Sequence, residues 1–566
     1  MRDEHPKLWM ELHVKNREKL LTSLRQHLSD SSRSLHGFVL LQGGEEQTRY
    51  DTDHLELFRQ ESYFAYLFGV IEPGFYAAID VATGNSILFA PRLPSEYAVW
   101  LGEIKPLSYF KEHYMVTTCC FSDEIESVLQ QHYQCSGKPL LFLLHGLNTD
   151  SDNYSKPAQF QGIDKFDKDL TTLHPILTEC RVIKSELEIA LIQYANDISS
   201  EAHVEVMRKT KVGMKEYQLE SIFLHHTYMY GGCRHCSYTC ICATGDNSAV
   251  LHYGHAAAPN DKILEDGDMA LFDMGAEYHF YGSDITCSFP VNGKFTSDQS
   301  LIYSAVLDAH NAVISAMKPG INWVDMHILA EKVILESLKR GHVILGDVDD
   351  MMASRLGAAF MPHGLGHFLG IDTHDPGGYL KGLERRKEPG LKSLRTIRDL
   401  REGMVITVEP GCYFIDALLL PAMNSPETSK FLNQEAINRF KGFGGVRIES
   451  DVDKIRNEAI RERVGVAPIV EKMVENRLRW FGHVERRPVD SVVRRVDQME
   501  RRQTIRGRGR PKKTIREVIK KDLELNDLDR SMLVTATGCY NMTKCPREMR
   551  EIEAVMAGAP WPAQKI

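Results

Sequence analysis

The sequence is poor in cysteine and lacks any long apolar run. It has 12 cysteines among 566 residues, and their spacing suggests no disulfide framework. We therefore expect reduced thiols in a reducing compartment, the cytoplasm. No stretch of about 18 uncharged apolar residues occurs, which argues against a membrane-spanning helix. Charged residues interrupt the first 20 positions, so we expect no secretory signal.

Charge is distributed unevenly along the chain. The net charge is −9, but positions 453–532 hold 22 Lys and Arg against 14 Asp and Glu, a net charge of +8. The rest of the chain therefore carries −17. Its apolar share of 43% and charged share of 26% are ordinary globular values. The basic block is accordingly interpreted as a separate segment of an otherwise acidic protein.

The N-terminal region, residues 1–186, has the pattern of a mixed α/β domain. Apolar residues at helical spacing predict a helix over 11–28. Short apolar runs bounded by turn residues predict buried strands at 37–42, 77–81, 86–90 and 140–144. This region carries no chemical motif, so we expect a structural or dimerisation role.

From residue 187 the pattern becomes helical, with strand-like segments between the helices. Helical spacing and capping residues predict helices over 187–206, 215–230, 297–318 and 323–341, the third with its N-cap at Ser297. Strands are predicted at 270–273, 284–289, 405–409 and 445–452. Helices grouped around an antiparallel sheet indicate the α+β class.

Several acids and histidines stand at the ends of apolar strands or among glycines. They are Asp273, Asp284, His363, His367, Glu409 and Glu449. An acid inside an apolar strand is costly unless a cation or another partner compensates it. Four such acids and a glycine-flanked histidine fit two divalent metal ions that hold a hydroxide for amide hydrolysis. Each residue alone also fits a turn acid, a capping acid or a loop histidine.

Five segments of this region resemble those of the prolidase (Xaa-Pro dipeptidase) group of pita-bread metallopeptidases, family M24. The segments are LFDMG with SDITCSFP, PHGLGHFLGIDTHD, TVEPGCYF and GGVRIE. The resemblance implies a mixed α/β N-terminal domain (1–186) and a pita-bread, creatinase/aminopeptidase-like catalytic domain (187–452) that is completed by 533–566. It also implies two Mn²⁺ per subunit, a homodimer and cleavage of dipeptides with a C-terminal proline.

The resemblance assigns roles to particular residues. The implied metal ligands are Asp273, Asp284, His367, Glu409 and Glu449. Glu409 would also move a proton, and His363 would assist catalysis. The implied substrate-binding residues are His252, His374, Arg395 and Arg447. A planar guanidinium at Arg395 suits the free carboxylate of the substrate, which would favour dipeptides over longer chains.

Residues 453–532 leave the family pattern. They resemble the C-terminal tail of retroelement reverse transcriptases, and we expect a poorly ordered or loosely helical insertion. Arg508–Pro511 resembles an AT-hook core, so weak nucleic-acid binding is an alternative. The insertion begins just after Glu449. A second alternative is therefore a catalytically impaired homologue that acts as an interaction module.

The segment from Cys233 to Cys242 contains four cysteines. Their spacing, C-x2-C-x3-C-x-C, is too compact for an ordinary four-cysteine zinc site. We interpret these cysteines as structural thiols, with a zinc knuckle as the alternative.

Overall fold

The structure is a computed structural model that describes residues 6–133, 135–254 and 260–453. The first six strands form one sheet in the order β4-β3-β2-β1-β5-β6. They are β1 (Phe38–Gln42), β2 (Tyr76–Asp80), β3 (Ser86–Ala90), β4 (Thr118–Phe121), β5 (Leu140–Leu143) and β6 (Asp167–Asp169). The β1/β2 and β2/β3 pairs are antiparallel, and the other pairs are parallel.

Apolar side chains cover both faces of this sheet. Strand β1 shows why, because Val39 and Leu41 point into one apolar cluster and Phe38 and Leu40 into another. The accompanying helices are α1 (Pro6–Asp30), α2 (Ser62–Phe68), α3 (Ala98–Leu101), α4 (Leu107–His113), α5 (Ile125–His132) and α6 (Leu173–Val182). The expected mixed α/β domain is confirmed.

The region after α6 combines helices with short antiparallel sheets. Its helices are α7 (Glu186–Lys209), α8 (Glu216–Gly231), α9 (Ser297–Ala316), α10 (Trp323–Arg340), α11 (Val348–Ala353), α12 (Gly357–Phe360), α13 (Asp416–Asn424) and α14 (Gln434–Arg439). Its strands are β7 (His235–Cys236), β8 (Ile241–Thr244), β9 (Met269–Asp273), β10 (Ala276–Glu277), β11 (Thr286–Pro290), β12 (Ile406–Val408), β13 (Gly411–Tyr413), β14 (Gly445–Arg447) and β15 (Ser450–Val452).

Strand pairing is antiparallel throughout this region. Strand β9 lies between β8 and β11, β10 pairs with β7, β12 pairs with β15, and β13 pairs with β14. Helices α9 and α10 bury an apolar stripe against the sheets, with Trp323 fully buried. The expected α+β catalytic domain is confirmed.

Two local predictions need correction. The N-cap of α9 is Thr296 rather than Ser297, because the Thr296 hydroxyl accepts from the Gln299 backbone N–H and the Gln299 side chain accepts in return. The predicted strand 445–452 is two strands, β14 and β15. They pair with β13 and β12, which are separated by Glu409 and Pro410, and proline cannot donate to a ladder.

Candidate metal and substrate site

Three strand segments bring the predicted carboxylates together. Asp273 ends β9 and lies opposite Thr286 of β11, so Asp284 stands just beyond the register of this hairpin. The Glu449 backbone N–H donates to the Thr286 carbonyl at 3.1 Å, and the Thr286 hydroxyl donates to Glu449 Oε2 at 2.6 Å. The break between β14 and β15 therefore places Glu449 directly beside Asp284.

His367 and Glu409 reach the same point from the segment beside β12. The Thr407 N–H donates to the His367 carbonyl at 2.9 Å, and the Glu409 N–H donates to the Leu365 carbonyl at 2.9 Å. This pairing requires glycine at 366, because a Cβ there would lie 2.0 Å from the Thr407 carbonyl oxygen. His367 Nε2 consequently lies 3.3 Å from Asp284 Oδ2 and 3.5 Å from Glu409 Oε1.

The tightest part of this cluster is Asp284, His367 and Glu449. One ligand atom from each residue lies within 4.8 Å of the others, and all three residues are buried. His367 Nδ1 is 3.0 Å from the Phe368 carbonyl, which fixes the ring and leaves Nε2 facing the carboxylates. Oxygen donors with one imidazole are the ligand set that hard divalent cations prefer.

Burial and the interactions among these charged groups strongly shift their pKa values. Burial, with the neighbouring charges of Asp273 and Glu409, raises the pKa of Asp284 to about 6. Burial and the carboxylates of Asp284, Glu409 and Asp273 raise the pKa of Glu449 well above its usual value. Burial opposes protonation of His367, but its hydrogen bond to Asp284 and the charge of Glu409 raise its pKa to about 9.

Cationic side chains among the described residues only partly balance the negative charge of these carboxylates. Arg447 forms an ion pair with Asp273, and its Nε lies 3.7 Å from Glu449 Oε2. Tyr238 also donates to Asp273. The buried cluster therefore keeps an excess of carboxylate charge, which is unfavourable away from water. A divalent cation bound by these oxygens would compensate that charge.

The cluster lies in a cavity of about 760 Å³. The predicted ligands and substrate residues that line it are Asp273, Asp284, His367, Glu409, Glu449, His252, His363, His374, Arg395 and Arg447. The structure thus brings all ten predicted site residues to one cavity. The rings of His367 and His374 are perpendicular, with centroids 4.4 Å apart.

The neighbouring histidines are held in the neutral form. Burial, with the nearby His367 and Arg395, lowers the pKa of His374 to about 2. Burial lowers the pKa of His363, although Glu409 opposes this effect. His363 Nε2 lies 3.0 Å from the Tyr413 hydroxyl and its Nδ1 lies 3.8 Å from Glu409 Oε2.

Sequence reasoning missed three residues of the site. Asp150, from the loop after β5, lies 3.5 Å from Arg395 and 2.7 Å from Arg385. Tyr238 contacts Asp273, and Asp451 accepts from the Asp284 N–H at 2.9 Å. The two-residue spacing of Asp451 from Glu449 was a usable signal, whereas no pattern marked Asp150 or Tyr238.

Among the described residues, the group of side chains close enough to hold a metal ion is Asp284, His367 and Glu449, and it includes no cysteine. Cys240 and Cys242 belong to one apolar cluster and Cys233 to another. None of the ten cysteines in the ranges above is disulfide-bonded. Those ranges also contain no helix with the length and apolar character needed to cross a bilayer.

Apart from Asp453, the predicted insertion at 453–532 lies outside the described residues, and so do Arg508–Pro511 and the predicted domain end at 533–566. The strand that follows Glu449 is described, and it pairs with β12 in regular antiparallel register. Its ladder is therefore intact up to Val452.

The pita-bread fold and the acidic, histidine-containing cavity define a metallopeptidase. The family model described as Metallopeptidase family M24 matches residues 190–452, and that described as Aminopeptidase P, N-terminal domain matches residues 13–142. The chain is 56% identical to the Xaa-Pro dipeptidase of Homo sapiens over 451 residues, which cover 80% of this chain and 90% of that protein. The Mus musculus Xaa-Pro dipeptidase is 54% identical over 450 residues, with coverage of 80% and 90%.

Solved structures agree with these sequence relatives. The aminopeptidase PepP of Pseudomonas aeruginosa superposes with a TM-score of 0.63 at 27% identity, covering 82% of this chain and 97% of that one. Zn-substituted aminopeptidase P of E. coli in complex with product gives 0.62 at 27% identity, with the same coverage. The chain therefore belongs to metallopeptidase family M24.

Proposed function

We propose that this chain is a metal-dependent dipeptidase that hydrolyses Xaa-Pro dipeptides. The observation that carries the proposal is one cavity that is lined both by a buried carboxylate–imidazole cluster and by Arg395. The likeness to Xaa-Pro dipeptidases over 90% of their length supports the same substrate class.

The ligand set supports two Mn²⁺ ions per chain. Asp273, Asp284, His367, Glu409 and Glu449 would hold them, since four carboxylates and one imidazole suit hard cations better than thiolate-seeking ones. When bound, divalent ions polarise a scissile carbonyl and make a water more acidic.

Glu409 and His363 are suited to moving protons beside the scissile bond. The Glu409 side chain keeps 15% of its surface exposed, whereas that of Glu449 keeps 2%. Glu409 can therefore face both substrate and water. Burial lowers the pKa of His363, so its imidazole is neutral and can accept a proton at a ring nitrogen, becoming an imidazolium that can later return the proton.

Arg395 is suited to recognising the end of the substrate. Its side chain is 29% exposed, and its contact with Asp150 is loose at 3.5 Å. A C-terminal carboxylate could therefore accept two N–H groups from the guanidinium. His252 and His374 line the same cavity and are placed to supply polar contacts to the peptide.

We further propose a cytoplasmic homodimer. The free thiols of the described residues support a reducing compartment. Three consecutive apolar side chains, Val99, Trp100 and Leu101, are 78%, 81% and 62% exposed, a patch that association of two chains would cover. Light scattering on the purified chain tests this assembly, and a monomeric mass at micromolar concentration would contradict it.

Hydrolysis of Gly-Pro by the purified full chain in Mn²⁺ tests the proposed activity. We expect turnover that chelation abolishes, and loss of turnover in Asp284→Asn. The matched control is Asp308→Asn on α9, where the acid is 57% exposed and should be dispensable. Intact Gly-Pro after incubation with metal-loaded protein, or unchanged turnover in Asp284→Asn, would count against the dipeptidase.

A second experiment isolates recognition of the carboxylate. Arg395→Met should weaken the binding of Gly-Pro by about 1.5–3 kcal/mol, the contribution of a charge-assisted hydrogen bond, and KM for Gly-Pro should rise accordingly. It should change turnover of Gly-Pro amide far less, since that substrate has no terminal carboxylate. Equal losses on both substrates would show that Arg395 does not act by binding the terminal carboxylate.

A further inference from the structure

A second arginine, Arg385, lies beside Arg395, and the proposed chemistry gives it no role. Its Nη1 donates to the Leu394 carbonyl at 2.6 Å, and its Nη2 donates to the Thr149 carbonyl at 2.6 Å and to Asp150 Oδ1 at 2.7 Å. The Arg385 guanidinium therefore joins the chain just before Arg395 to the loop after β5. The planar fork of arginine, which carries several N–H groups, suits such a multiple contact.

The backbone at Arg395 is fixed from a second side. The Tyr379 hydroxyl donates to the same Leu394 carbonyl at 2.8 Å, and the Arg385 guanidinium carbon lies 4.6 Å from the centre of the Tyr379 ring. Gly378 packs so closely that a Cβ there would lie 1.9 Å from the Arg395 carbonyl oxygen. The main chain that carries Arg395 is thus held on both sides, and the direction of its guanidinium depends on what contacts the side chain.

Asp150 makes that contact with the Arg395 side chain. Its Oδ1 lies 2.7 Å from Arg385 Nη2 and 3.5 Å from Arg395 Nη1, so one carboxylate oxygen serves both guanidinium groups. Among the described residues, Arg395 has no other ion pair. The Asp150 backbone N–H donates to Asn148 Oδ1 at 2.9 Å, and both of these residues line the cavity. The Asp150 side chain is 12% exposed and that of Arg395 is 29% exposed, so the arginine keeps more of its surface for a ligand.

The charges of this cluster leave it suited to one more anion. Arg385 and Arg395 carry two positive charges and Asp150 carries one negative charge, which gives these three side chains a net charge of +1. Without the acid, the two like charges would repel each other and Arg395 would turn toward solvent. With the acid, Arg395 is ordered before a substrate arrives, and an ordered side chain loses less entropy on binding.

We propose that Asp150 is a positioning residue that, together with Arg385, holds Arg395 ready for the terminal carboxylate of the substrate. The inference rests on the proposed dipeptidase function. Asp150 belongs to the N-terminal region, for which the sequence predicts only a structural or dimerisation role. That region then takes part in substrate recognition, because it supplies the acid that orients an arginine of the catalytic domain.

Asp150→Asn removes the charge and keeps the shape of the side chain. In Mn²⁺ we expect KM for Gly-Pro to rise about threefold to tenfold, a usual coupling within one polar network, with kcat within about twofold of wild type. Turnover of Gly-Pro amide, which lacks the terminal carboxylate, should not change. A purely electrostatic role predicts the opposite sign, because loss of a negative charge would attract the substrate carboxylate more strongly. A lower KM for Gly-Pro, or equal losses on both substrates, would overturn the proposal.

A double-mutant cycle shows whether Asp150 acts through Arg395. In an Arg395→Met background, Asp150→Asn should change KM for Gly-Pro by less than about twofold, because the group that it orients is gone. Full additivity of the two losses would overturn the proposal. The matched control is Asp152→Asn in the same loop, where the acid is exposed and has a φ of 56°, a conformation that asparagine also tolerates. This control should keep the wild-type kinetics.

Arg385→Lys provides a second test, which remains valid if Asp150→Asn does not fold. Lysine keeps the positive charge but lacks the planar fork, so KM for Gly-Pro should again rise while kcat is retained. An unchanged KM in this variant would show that the network does not position Arg395.

Calorimetric titration of the chelated chain with Gly-Pro and Gly-Pro amide measures recognition where no turnover occurs. The wild type should bind Gly-Pro more tightly than the amide, and Asp150→Asn should reduce that difference. A wild type without this preference, or an Asp150→Asn chain that retains all of it, would overturn the inference. Absence of turnover in the metal-loaded wild type would overturn the dipeptidase proposal alone, so the two proposals fail separately.

Discussion

Removal of divalent metal should make the stability of this protein fall as pH rises above neutrality. The responsible group is His367, whose pKa rises from 6.5 to about 9 beside Asp284 and Glu409. Because the folded pKa is raised, the associated stabilisation is fully present below pH 6.5 and is lost as pH rises through 9. At about 1.4 kcal/mol for each tenfold change in proton affinity, the loss is about 3 kcal/mol.

Urea unfolding of the chelated chain at a series of pH values measures this loss. Tryptophan fluorescence reports on the catalytic core, where Trp323 is fully buried. Excess Mn²⁺ should reduce or reverse the trend, because ligation needs a neutral imidazole and ionised carboxylates. Asp284→Asn should flatten the chelated curve, since it removes the main partner that raises the pKa of His367.

Asp308→Asn is the matched control for this experiment and should reproduce the wild-type curve, because its carboxylate is largely exposed. A chelated wild type whose unfolding free energy is constant from pH 6.5 to 9, or an Asp284→Asn variant with the wild-type slope, would refute the reasoning.

Two further substitutions test the framework around the site. Arg181→Met should lower the unfolding free energy by about 3–5 kcal/mol, because Asp375 is 1% exposed and would keep only one of its two cations. Arg33→Met, which removes a more exposed partner, should cost about 1 kcal/mol or less by the same urea titration. Gly366→Ala should reduce Gly-Pro turnover and metal content together, because its Cβ must displace the Thr407 carbonyl. Unchanged metal content in that variant would contradict the required close approach.

The clustering of the proposed metal ligands was predictable because their signals are local. Asp273 ends one short apolar strand, Glu409 follows another, and Gly366 precedes His367. Such positions combine a strand end with a charge that burial would penalise, so they can be recognised without knowledge of the tertiary structure. Antiparallel register then explains why distant strand ends meet, as with Asp273 opposite Thr286.

The wall of the cavity near Arg395 was not predictable in this way. Asp150 comes from the N-terminal region, more than 200 residues before its partners Arg385 and Arg395. A charged loop residue has the sequence pattern of a solvated surface, and only the tertiary structure pairs it. The same holds for Arg181 and Lys184, whose burial against Asp375 leaves no periodic signal.

The sequence pattern also did not predict that 445–452 is divided into two strands. Periodicity of two continues through Arg447, Glu449 and Asp451, which predicts one strand. The break arises from the partner strands, where Pro410 interrupts pairing between β12 and β13. The prediction still placed Arg447 and Glu449 correctly at one site, since both reach the same cluster.

The metal content of the chain tests most directly whether distant strand ends build one cation site. The full chain should be loaded with Mn²⁺, dialysed, and measured by elemental analysis beside Asp284→Asn and Asp308→Asn. We predict close to two ions per chain in the wild type and in Asp308→Asn, and substantially fewer in Asp284→Asn. A wild-type chain that retains no metal, or an Asp284→Asn chain with the full content, would contradict the account.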